Sequence, residues 1–492
     1  MKFLKKLLPF AVILAAALLL LYLPDIGPER YTDLAAFFRT ELKRQGFSGY
    51  TVAVVKDGSV LYVDAFGTDG QGEALTVDTP MAIGSLSKSF TGLAALSLAR
   101  EGKLDLDAPV GAYLPWFSFA PGGEGGDGSG VLLRHLLSHT SGASDLDFDD
   151  AHPSAPDLES AVRSLAGARA RALPGAERHY LNTGYQALGL VLEKASGQPY
   201  SSLVASRILK PLGMEKSSAE PDKVSGALPY GNGSFFGAVL PRRQVLPAFS
   251  APSGGIVSTA EDMAKYLAFL AAPEKKKRPP LSAKAVPSLF APLAPASAYG
   301  YGWRVAGEGP DRRAEHGGSL EGFSAQAVVW PERRAAFVVL AAQNSLLHST
   351  VGMPALAEGA GRLILEGEAP RPFPLGRLFI LLAVAAAVHL LALAVQTGAA
   401  LRWAREVRGR AEALGAKGPI VFARVRCAFG VALRIALVAV APALLTAAFR
   451  RKVGWALAFQ LEPGLAAWAV SACAFGCLRN LTRLAWLRGP RR

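Results

Sequence analysis

The sequence predicts a mixed α/β (α+β) fold, with an antiparallel sheet flanked by helices, a helical subdomain in the middle, and a transmembrane helical region after it. Three observations support this prediction. Short β-branched and apolar runs lie at residues 51–65 and again at 325–341. The segments between them are largely helical in pattern. From residue 373 onward the chain consists mostly of long apolar stretches.

The chain begins with a basic and then an apolar segment. Lys2, Lys5 and Lys6 precede a nearly continuous apolar run at 7–23. This pattern is typical of a signal anchor or a signal peptide at residues 1–24, and the lack of a small-x-small cleavage site favours the uncleaved anchor. In either case the lysines stay in the cytoplasm and the chain that follows is exported.

The exported domain, predicted at residues 25–370, starts with a helix and a hairpin. Tyr31–Gly46 has the apolar spacing of an amphipathic helix. Thr51–Val55 and Val60–Ala65 predict two strands, because a turn sequence, Lys56-Asp57-Gly58-Ser59, separates them.

The middle of this domain is predicted to be helical and its end to return to strands. Ala325–Trp330 and Ala336–Ala341 are apolar and β-branched, which indicates two adjacent strands. Strands at both ends of the domain imply a sheet in which the first and last strands are neighbours. The acidic stretch 145–157 is predicted to be a solvated loop rather than a metal site, because its carboxylates lack a regular ligand spacing. The helices are expected at Phe90–Arg100, Leu132–Ser138, Tyr185–Ala195 and Tyr200–Leu209.

Residues 373–492 are predicted to form a membrane region with about three transmembrane helices. The three apolar stretches long enough to cross a bilayer are Leu378–Ala400, Val431–Phe449 and Gly454–Leu478. Basic residues between the first two, and at the C-terminus, place both segments in the cytoplasm. Only Arg450-Arg451-Lys452 lies on the opposite side in this topology.

The net charge of +14 arises entirely in this region. From Arg377 onward the chain has 17 Lys and Arg and 3 Asp and Glu, so the preceding residues are neutral overall. The basic residues alternate with apolar stretches, which indicates membrane topology and excludes nucleic acid as a partner. The three cysteines, Cys427, Cys473 and Cys477, also lie here, so the exported domain has neither a disulfide nor a thiol nucleophile.

Ser85 and Lys88 form a Ser-x-x-Lys pair at the start of the helix that runs to Arg100. Residues three apart share a helix face, so the lysine amine is expected to reach the serine hydroxyl. Backbone N–H groups at a helix N-terminus favour developing negative charge, and a neutral lysine is able to accept the serine proton. Alone, this spacing occurs by chance in many helices.

Two further motifs suggest the same kind of site. Tyr180 and Asn182 lie two residues apart after a Pro-Gly turn, where a phenol and an amide project together into a cleft. His316-Gly317-Gly318-Ser319 precedes the closing strands, and its glycines allow a close backbone approach and pairing with an extended substrate. Alone, the Tyr-x-Asn spacing is more typical of a packed tyrosine and a turn asparagine, and His316 is as typical of a surface histidine as of a functional one.

Taken together and in this order, the motifs resemble the serine β-lactamase and penicillin-binding superfamily, in its class C-like branch of D-Ala-D-Ala carboxypeptidase B and related hydrolases. The resemblance runs from about Thr51 to Asn344 and includes Arg134-His135-Leu136-Leu137-Ser138-His139-Thr140-Ser141-Gly142. It implies a β-lactamase/transpeptidase-like fold in the exported domain.

The resemblance also implies a role for each matching residue. Ser85 is expected to be the acylated nucleophile, Lys88 its proton acceptor and Tyr180 the partner acid and base. Asn182, His316, Gly317 and Gly318 are expected to bind substrate, and the backbone N–H groups of Ser85 and Ser319 to form the oxyanion hole. His139 is interpreted as a structural turn histidine.

His316 departs from the lysine found in many relatives. Because imidazole is only partly charged near neutrality, it is a poorer partner for a β-lactam or peptide carboxylate. The leading hypothesis is therefore a serine hydrolase of the cytoplasmic (inner) membrane. Its catalytic domain would face the periplasm or the outside, and it would act on peptides or amides containing a D-amino acid.

Two alternatives remain open at this point: an envelope esterase or weak β-lactamase, and a non-catalytic penicillin-binding sensor. No metal and no cofactor is expected. His135 and His139 are four residues apart, but no glutamate lies between them and no third ligand is evident. The expected partners are a small peptide, amide or ester substrate and the lipid bilayer.

Overall fold

The structure is a computed structural model that describes residues 30–145, 155–449 and 454–487. The predicted signal anchor at 1–24 lies outside the described residues. The described chain forms two compact units. The larger contains the residues up to Gly233 together with Val239–Leu375, and the smaller contains Ser234–Ala238 and the chain from Gly376 onward.

A seven-stranded antiparallel sheet forms the centre of the larger unit. Its strands in chain order are β1 Gly49–Lys56, β2 Ser59–Gly67, β3 Tyr299–Gly300, β4 Trp303–Ala306, β5 Arg313–Leu320, β6 Phe323–Trp330 and β7 Ala335–Ala341. The order in the sheet is β2-β1-β7-β6-β5-β4-β3, so the first strand of the hairpin pairs with the last strand of the domain, with Ala53 opposite Val338. This confirms the expected joining of the two ends.

Strand β1 is a continuous apolar run because both faces of the sheet are covered. Val52 and Val54 belong to one apolar cluster with α1 (Leu34–Arg44), whereas Ala53 and Val55 belong to the other. Side chains alternate between the two faces of a strand, so a strand buried on both sides shows no polar alternation.

The helices lie on both faces of this sheet. Asp33 precedes helix α1 and caps its first turn, because its side chain accepts a hydrogen bond from the Ala36 N–H. After α1, the larger unit has the α-helices α2 Ser87–Arg100, α3 Leu133–Leu137, α4 Leu158–Arg163, α5 Asn182–Ser196, α6 Tyr200–Val204, α7 Ala260–Ala271 and α8 Met353–Glu366. Shorter ones lie at Lys210–Leu212 and Pro221–Val224.

One strand of this sheet was not predicted. His316-Gly317-Gly318-Ser319 precedes the closing strands β6 and β7, as expected, but is itself part of the strand β5. Strand β4 pairs only with Arg313–Glu315, so from His316 to Leu320 β5 has no strand neighbour on that side within the described chain. The two glycines weakened the β signal in the sequence, although they allow the close approach described below.

The smaller unit consists mainly of helices α9 Leu375–Gly398, α10 Ala400–Ala413, α11 Gly418–Phe449, α12 Trp455–Leu461 and α13 Pro463–Leu487. Three of them are long and apolar enough to cross a membrane: Leu375–Gly398, Gly418–Ala447 and Pro463–Leu487.

Their limits differ from those predicted. The second begins thirteen residues earlier than expected and contains Arg424 and Arg426, which were assigned to a loop. The basic segment after Gly398 is itself a helix, α10. The third starts at Pro463, because proline cannot continue α12 but fits the first turn of a new helix. Arg450-Arg451-Lys452 lies outside the described residues.

Candidate active site

Ser85 lies in a 3-10 turn, Gly84–Leu86, that leads directly into α2. Its side chain is half-buried, while the residues on either side of it are buried. Gly84 has φ +55°, and a Cβ on it would be 2.7 Å from the backbone nitrogen of Ser319. This glycine therefore allows the turn to touch β5 beside the candidate nucleophile.

Lys88 is completely buried, and its amine lies among oxygen atoms. Nζ is 3.2 Å from Ser85 Oγ and 2.7 Å from Asn182 Oδ1, and it also donates to the carbonyl oxygen of Ser253. A neutral amine that donates to the latter two oxygens is able to accept the proton of Ser85 with its lone pair, since Ser85 Oγ lies 3.2 Å from Nζ. The geometry thus suits a proton acceptor for the serine.

Tyr180 completes the contacts around the serine. Its hydroxyl donates to Ser85 Oγ at 2.9 Å, and Lys88 Nζ lies 4.9 Å from the centre of its ring. The structure therefore brings together Ser85, Lys88, Tyr180 and Asn182 from two separate parts of the sequence.

Asp145 holds Asn182 in place, a contact that the sequence analysis missed. Its carboxylate accepts from the Asn182 backbone N–H at 2.9 Å and from Asn182 Nδ2 at 3.0 Å. Since Nδ2 donates to Asp145, the amide oxygen of Asn182 faces Lys88. The prediction of a solvated loop is wrong at this residue, which is only 4% exposed. Residues 146–154 lie outside the described chain.

His139 supports Tyr180 from behind. It is buried and has φ +59°, and its Nδ1 accepts a hydrogen bond from the Leu181 N–H at 3.2 Å. Its ring centre is 4.3 Å from that of Tyr180 and 4.8 Å from that of Tyr299. Burial lowers the pKa of His139 well below its usual value, so the ring is neutral.

Gly318 and Ser319 lie against the 3-10 turn Gly84–Leu86 that carries Ser85, called here the serine turn. A Cβ on Gly318 would be 2.0 Å from the carbonyl oxygen of Ile83, so only glycine allows this contact. Ser319 follows with its backbone nitrogen beside Gly84, one residue before Ser85. Asn344 fixes this end of β5 by donating to Ser319 Oγ and to the Leu320 carbonyl, each at 2.8 Å. The backbone N–H groups of Ser85 and Ser319 thus belong to touching segments, as an oxyanion hole requires.

His316 is more deeply buried than the sequence suggested. Its Nδ1 lies 2.7 Å from the Gly317 carbonyl oxygen, and its Nε2 is 2.6 Å from the Tyr299 hydroxyl. A carbonyl only accepts, so Nδ1 carries the proton and Nε2 accepts from Tyr299. Burial, and then the positive charge that Lys88 carries in its protonated form, lower the pKa of His316 to about 3. The expectation of a partly charged imidazole is therefore wrong, because the ring is neutral at ordinary pH.

A cavity of about 220 Å³ adjoins the candidate acid Tyr180. Its lining comprises Arg178, Tyr180, Tyr299, Arg304, Glu315, His316, Gly317 and Gln326. A larger cavity, about 720 Å³, lies between the sheet and α8, but Ser85, Lys88 and Tyr180 do not line it. The smaller cavity is the relevant one, because it contains a group that contacts Ser85.

Residues that sequence reasoning missed mostly act through the backbone or through distant contacts. Ser253 contributes a carbonyl, and Tyr299 and Arg178 carry no motif of their own. The sequence could have indicated Asp145, because it lies three residues after Gly142, the end of the segment 134–142 that resembles the family. Within the described ranges, no three His, Cys, Asp or Glu side chains are grouped so as to hold a metal ion.

Comparison with known proteins supports the fold and the family. Residues 34–360 match the family model described as Beta-lactamase. The chain is 27% identical over 313 residues to Protein flp of Staphylococcus aureus (strain COL), covering 62% of this chain and 61% of that protein. It is 32% identical over 223 residues to Esterase EstB of Burkholderia gladioli, covering 41% of this chain and 54% of that protein. The matches thus span less than two thirds of these relatives.

A solved structure gives the same result. The octameric penicillin-binding protein homologue from Pyrococcus abyssi superposes with a TM-score of 0.57 at 27% identity, covering 68% of this chain and 77% of that one. The family match takes in the strands and helices that carry Ser85, Lys88, Tyr180 and His316. The chain belongs to the beta-lactamase family.

Proposed function

We propose that this protein is a membrane-anchored extracytoplasmic serine hydrolase that works through an acyl-enzyme at Ser85. The observation that carries the proposal is the contact of Ser85 Oγ with both Lys88 Nζ, at 3.2 Å, and the Tyr180 hydroxyl, at 2.9 Å. A nucleophile with two proton-transfer groups in hydrogen-bond reach is what covalent catalysis requires. A protein that only binds a ligand has no need for a buried lysine beside a hydroxyl.

Acylation follows from these contacts. Ser85 Oγ attacks the substrate carbonyl carbon as its proton passes to the neutral Lys88 amine. The negative charge on the carbonyl oxygen is stabilised by the backbone N–H groups of Ser85 and Ser319. The bond to the leaving nitrogen or oxygen breaks as Tyr180 gives it a proton, and Tyr180 regains a proton from Lys88.

Deacylation reverses these roles with water in place of the leaving group. Tyr180 gives its own proton to the neutral Lys88 amine as it takes one from the water, and the water oxygen attacks the acyl carbon. The ester bond to Ser85 then breaks, and Ser85 Oγ takes a proton from Lys88, which releases an acid and restores the site.

The substrates we propose are peptides or amides that contain a D-amino acid. This part of the proposal rests on the resemblance to class C-like D-peptidases whose motif reads His-Gly-Gly. The neutral His316 supports it in one respect, because a site with an uncharged group at this position lacks the cation that a β-lactam carboxylate would meet there.

The membrane setting rests on α9, α11 and α13, which are long and apolar enough to span a bilayer. With an uncleaved anchor before the domain, both ends of the hydrolase would be tethered. Its site would then face the periplasm or the exterior.

The test is the intact mass of the purified full-length protein in detergent after exposure to a fluorophosphonate and, separately, to penicillin. We expect a fluorophosphonate adduct that disappears in Ser85→Ala and forms much more slowly in Lys88→Met. A penicillin adduct would favour cell-wall peptides as substrates. A folded protein that forms neither adduct would refute the hydrolase and leave a binding module.

A second candidate, an envelope esterase, is favoured by the 32% identity to Esterase EstB. Esters need less help from a proton donor than amides, because an alcohol or phenol is the better leaving group. Turnover of p-nitrophenyl butyrate without turnover of D-aminoacyl amides would support the esterase. The opposite result would support the peptidase.

A further inference from the structure

Four arginines come together among the helices of the smaller unit. They are Arg426 and Arg434 of α11 and Arg479 and Arg483 of α13, called here the arginine cluster. Arg479 and Arg483 are four residues apart and share one face of their helix. The charge of Arg479 is close enough to those of the other three arginines to interact with each of them. Like charges repel, so this grouping costs free energy unless an anion lies among them.

The neighbouring helices make room for these side chains. A Cβ on Gly476 of α13 would overlap the guanidinium of Arg434. The guanidinium of Arg483 lies 4.4 Å from the ring centre of Trp403 in α10, and that of Arg426 lies 5.6 Å from it. Packing on a glycine and on an aromatic ring holds the guanidinium groups in place without neutralising their charge.

No carboxylate balances this charge among the residues that the structure describes. The membrane region has only three acidic residues, Glu406, Glu412 and Glu462. Glu406 pairs with Arg410, and Glu412 is exposed. Glu462 precedes the opposite end of α13, about 25 Å along the helix from Arg479. The arginine cluster is therefore a half-buried group of like charges.

Two of the guanidinium groups also have donors without an acceptor. Nε of Arg479 and Nε of Arg483 are buried and have no hydrogen-bond partner within the described ranges. Arg479 donates another N–H to the side-chain oxygen of Gln396, and Arg434 donates to the Gly430 carbonyl at 2.7 Å, but both acceptors are neutral. Because a buried donor left unpaired costs free energy, these N–H groups are expected to bind an acceptor that does not belong to the chain.

We propose that the arginine cluster binds the phosphate of an acidic phospholipid. Guanidinium N–H groups match phosphate oxygens in pairs, and several arginines together suit a headgroup with a net negative charge. The cluster lies on helices that are long and apolar enough to span a bilayer, so acyl chains have apolar surface to pack against. The predicted topology places the end of α13 at the cytoplasmic leaflet, where basic pockets between helices bind acidic lipids.

The test is lipid binding to the full-length protein in detergent, measured by native mass spectrometry with phosphatidylglycerol and with phosphatidylcholine. We expect wild type to bind phosphatidylglycerol more tightly, and Arg479→Gln to weaken that binding about tenfold, as on loss of a hydrogen bond between charged groups. Binding of phosphatidylcholine should not change. Equally tight binding of the two lipids by wild type would overturn the proposal.

The matched control is Arg402→Gln, which removes one charge from an exposed position of α10 outside the cluster. It should leave the binding of both lipids unchanged. An equal loss of phosphatidylglycerol binding in Arg402→Gln and Arg479→Gln would overturn the proposal, because it would indicate a general attraction to a basic surface rather than a site.

Thermal unfolding gives a second readout that a purely structural role would not produce. All three cysteines lie in the smaller unit, and Cys427 is buried beside the cluster. In a background with Cys473 and Cys477 replaced by alanine, a maleimide dye that fluoresces on reaction with Cys427 therefore reports the unfolding of this unit. In neutral detergent Arg479→Gln should raise the melting temperature by a few degrees, because it removes repulsion between like charges.

Added phosphatidylglycerol should reverse this order, because it stabilises wild type by binding and stabilises the variant much less. Inorganic phosphate at the same concentration has the charge but no acyl chains, and should not stabilise wild type. Equal stabilisation by inorganic phosphate would overturn the lipid assignment in favour of a free anion. A variant that melts lower than wild type in neutral detergent and responds normally to the lipid would overturn the site.

This proposal goes beyond the hydrolase and needs only the membrane setting proposed above. Fluorophosphonate labelling of Ser85 in the same variants separates the two, and it should proceed at the wild-type rate. If Ser85 is labelled but Arg479→Gln binds phosphatidylglycerol as wild type does, the lipid site is wrong and the hydrolase stands. If Ser85 is not labelled in any of these proteins, the proposed function is wrong, whatever the lipid measurements give.

Discussion

Asp145 fixes the direction of a single amide and, through it, the environment of Lys88. It accepts one hydrogen bond from the Asn182 backbone N–H and one from Asn182 Nδ2 at the start of α5, and the Asn182 oxygen accepts from Lys88. An asparagine at 145 would present an N–H₂ group where an acceptor is needed. A positioning residue two contacts away from the serine thus controls the proton acceptor.

We therefore predict that Asp145→Asn slows fluorophosphonate labelling of Ser85 by about tenfold or more, the cost of breaking hydrogen bonds to a charged group. Asn182→Ala should cost a similar factor. The double variant should be little slower than either single one, because both act through the same contact with Lys88. Independent, multiplying losses in the labelling rates would contradict this pathway.

His316 gives the protein a pH-dependent stability of known sign. Its pKa is about 3 in the folded protein and near 6.5 when unfolded, so the neutral ring stabilises the fold above pH 6.5. That contribution is lost as the pH falls from 6.5 toward 3, because the unfolded chain binds the proton more readily. At pH 5 the loss from this residue is about 2 kcal/mol.

The prediction is measured by denaturant unfolding at pH 7 and pH 5. Wild type should lose more free energy of unfolding than His316→Gln, by about 2 kcal/mol. Glutamine keeps a donor for the Gly317 carbonyl and an acceptor for Tyr299, but it does not titrate. The other buried histidines occur in both proteins and cancel. Equal losses in the two proteins would show that His316 titrates normally.

At the scale of elements, the contact between β5 and the serine turn positions the backbone N–H groups of Ser85 and Ser319 that we expect to form the oxyanion hole. Both backbones approach closely at Gly318, where a Cβ would be 2.0 Å from the Ile83 carbonyl oxygen. We predict that Gly318→Ala separates the two elements, and that fluorophosphonate labelling of Ser85 then falls about a hundredfold, as on loss of one oxyanion donor. Circular dichroism should show that the fold is retained.

The neighbouring glycine provides the comparison for this variant. A Cβ on Gly317 would meet the end of the Gln326 side chain at 3.0 Å, which is able to move away. Gly317→Ala should therefore cost clearly less than Gly318→Ala in the same labelling measurement. Similar losses for both variants would contradict this prediction. They would mean that β5 tolerates no added side chain near the serine turn, and that the contact of Gly318 with Ile83 has no special role.

Most elements could be predicted from local pattern, and the misses have physical causes. The hairpin and the closing strands β6 and β7 are mostly apolar and rich in β-branched residues, and these were found. Strands β3 and β4 have two and four residues, too few to show a period, and β5 is interrupted by glycines. Asp145 and Arg178 were missed because their partners, Asn182 and Tyr299, are far away in sequence.

At the scale of the whole chain, charge and hydropathy together predict which side of a membrane each part occupies. The excess of arginine and lysine is confined to the region after Gly376, in and between apolar helices. Basic segments are retained in the cytoplasm. An anchor before the larger unit and three spans after it would place the larger unit outside and the link between α10 and α11 inside.

This topology predicts the accessibility of single cysteines in spheroplasts. In a background with Cys427, Cys473 and Cys477 replaced by alanine, a cysteine at the exposed Ser129 of the larger unit should react with a membrane-impermeant maleimide. A cysteine at Lys417, exposed between α10 and α11, should react only after lysis. Labelling of position 417 in intact spheroplasts, with position 129 protected, would reverse the topology. The hydrolase would then face the cytoplasm, and cell-wall peptides would no longer be accessible to Ser85.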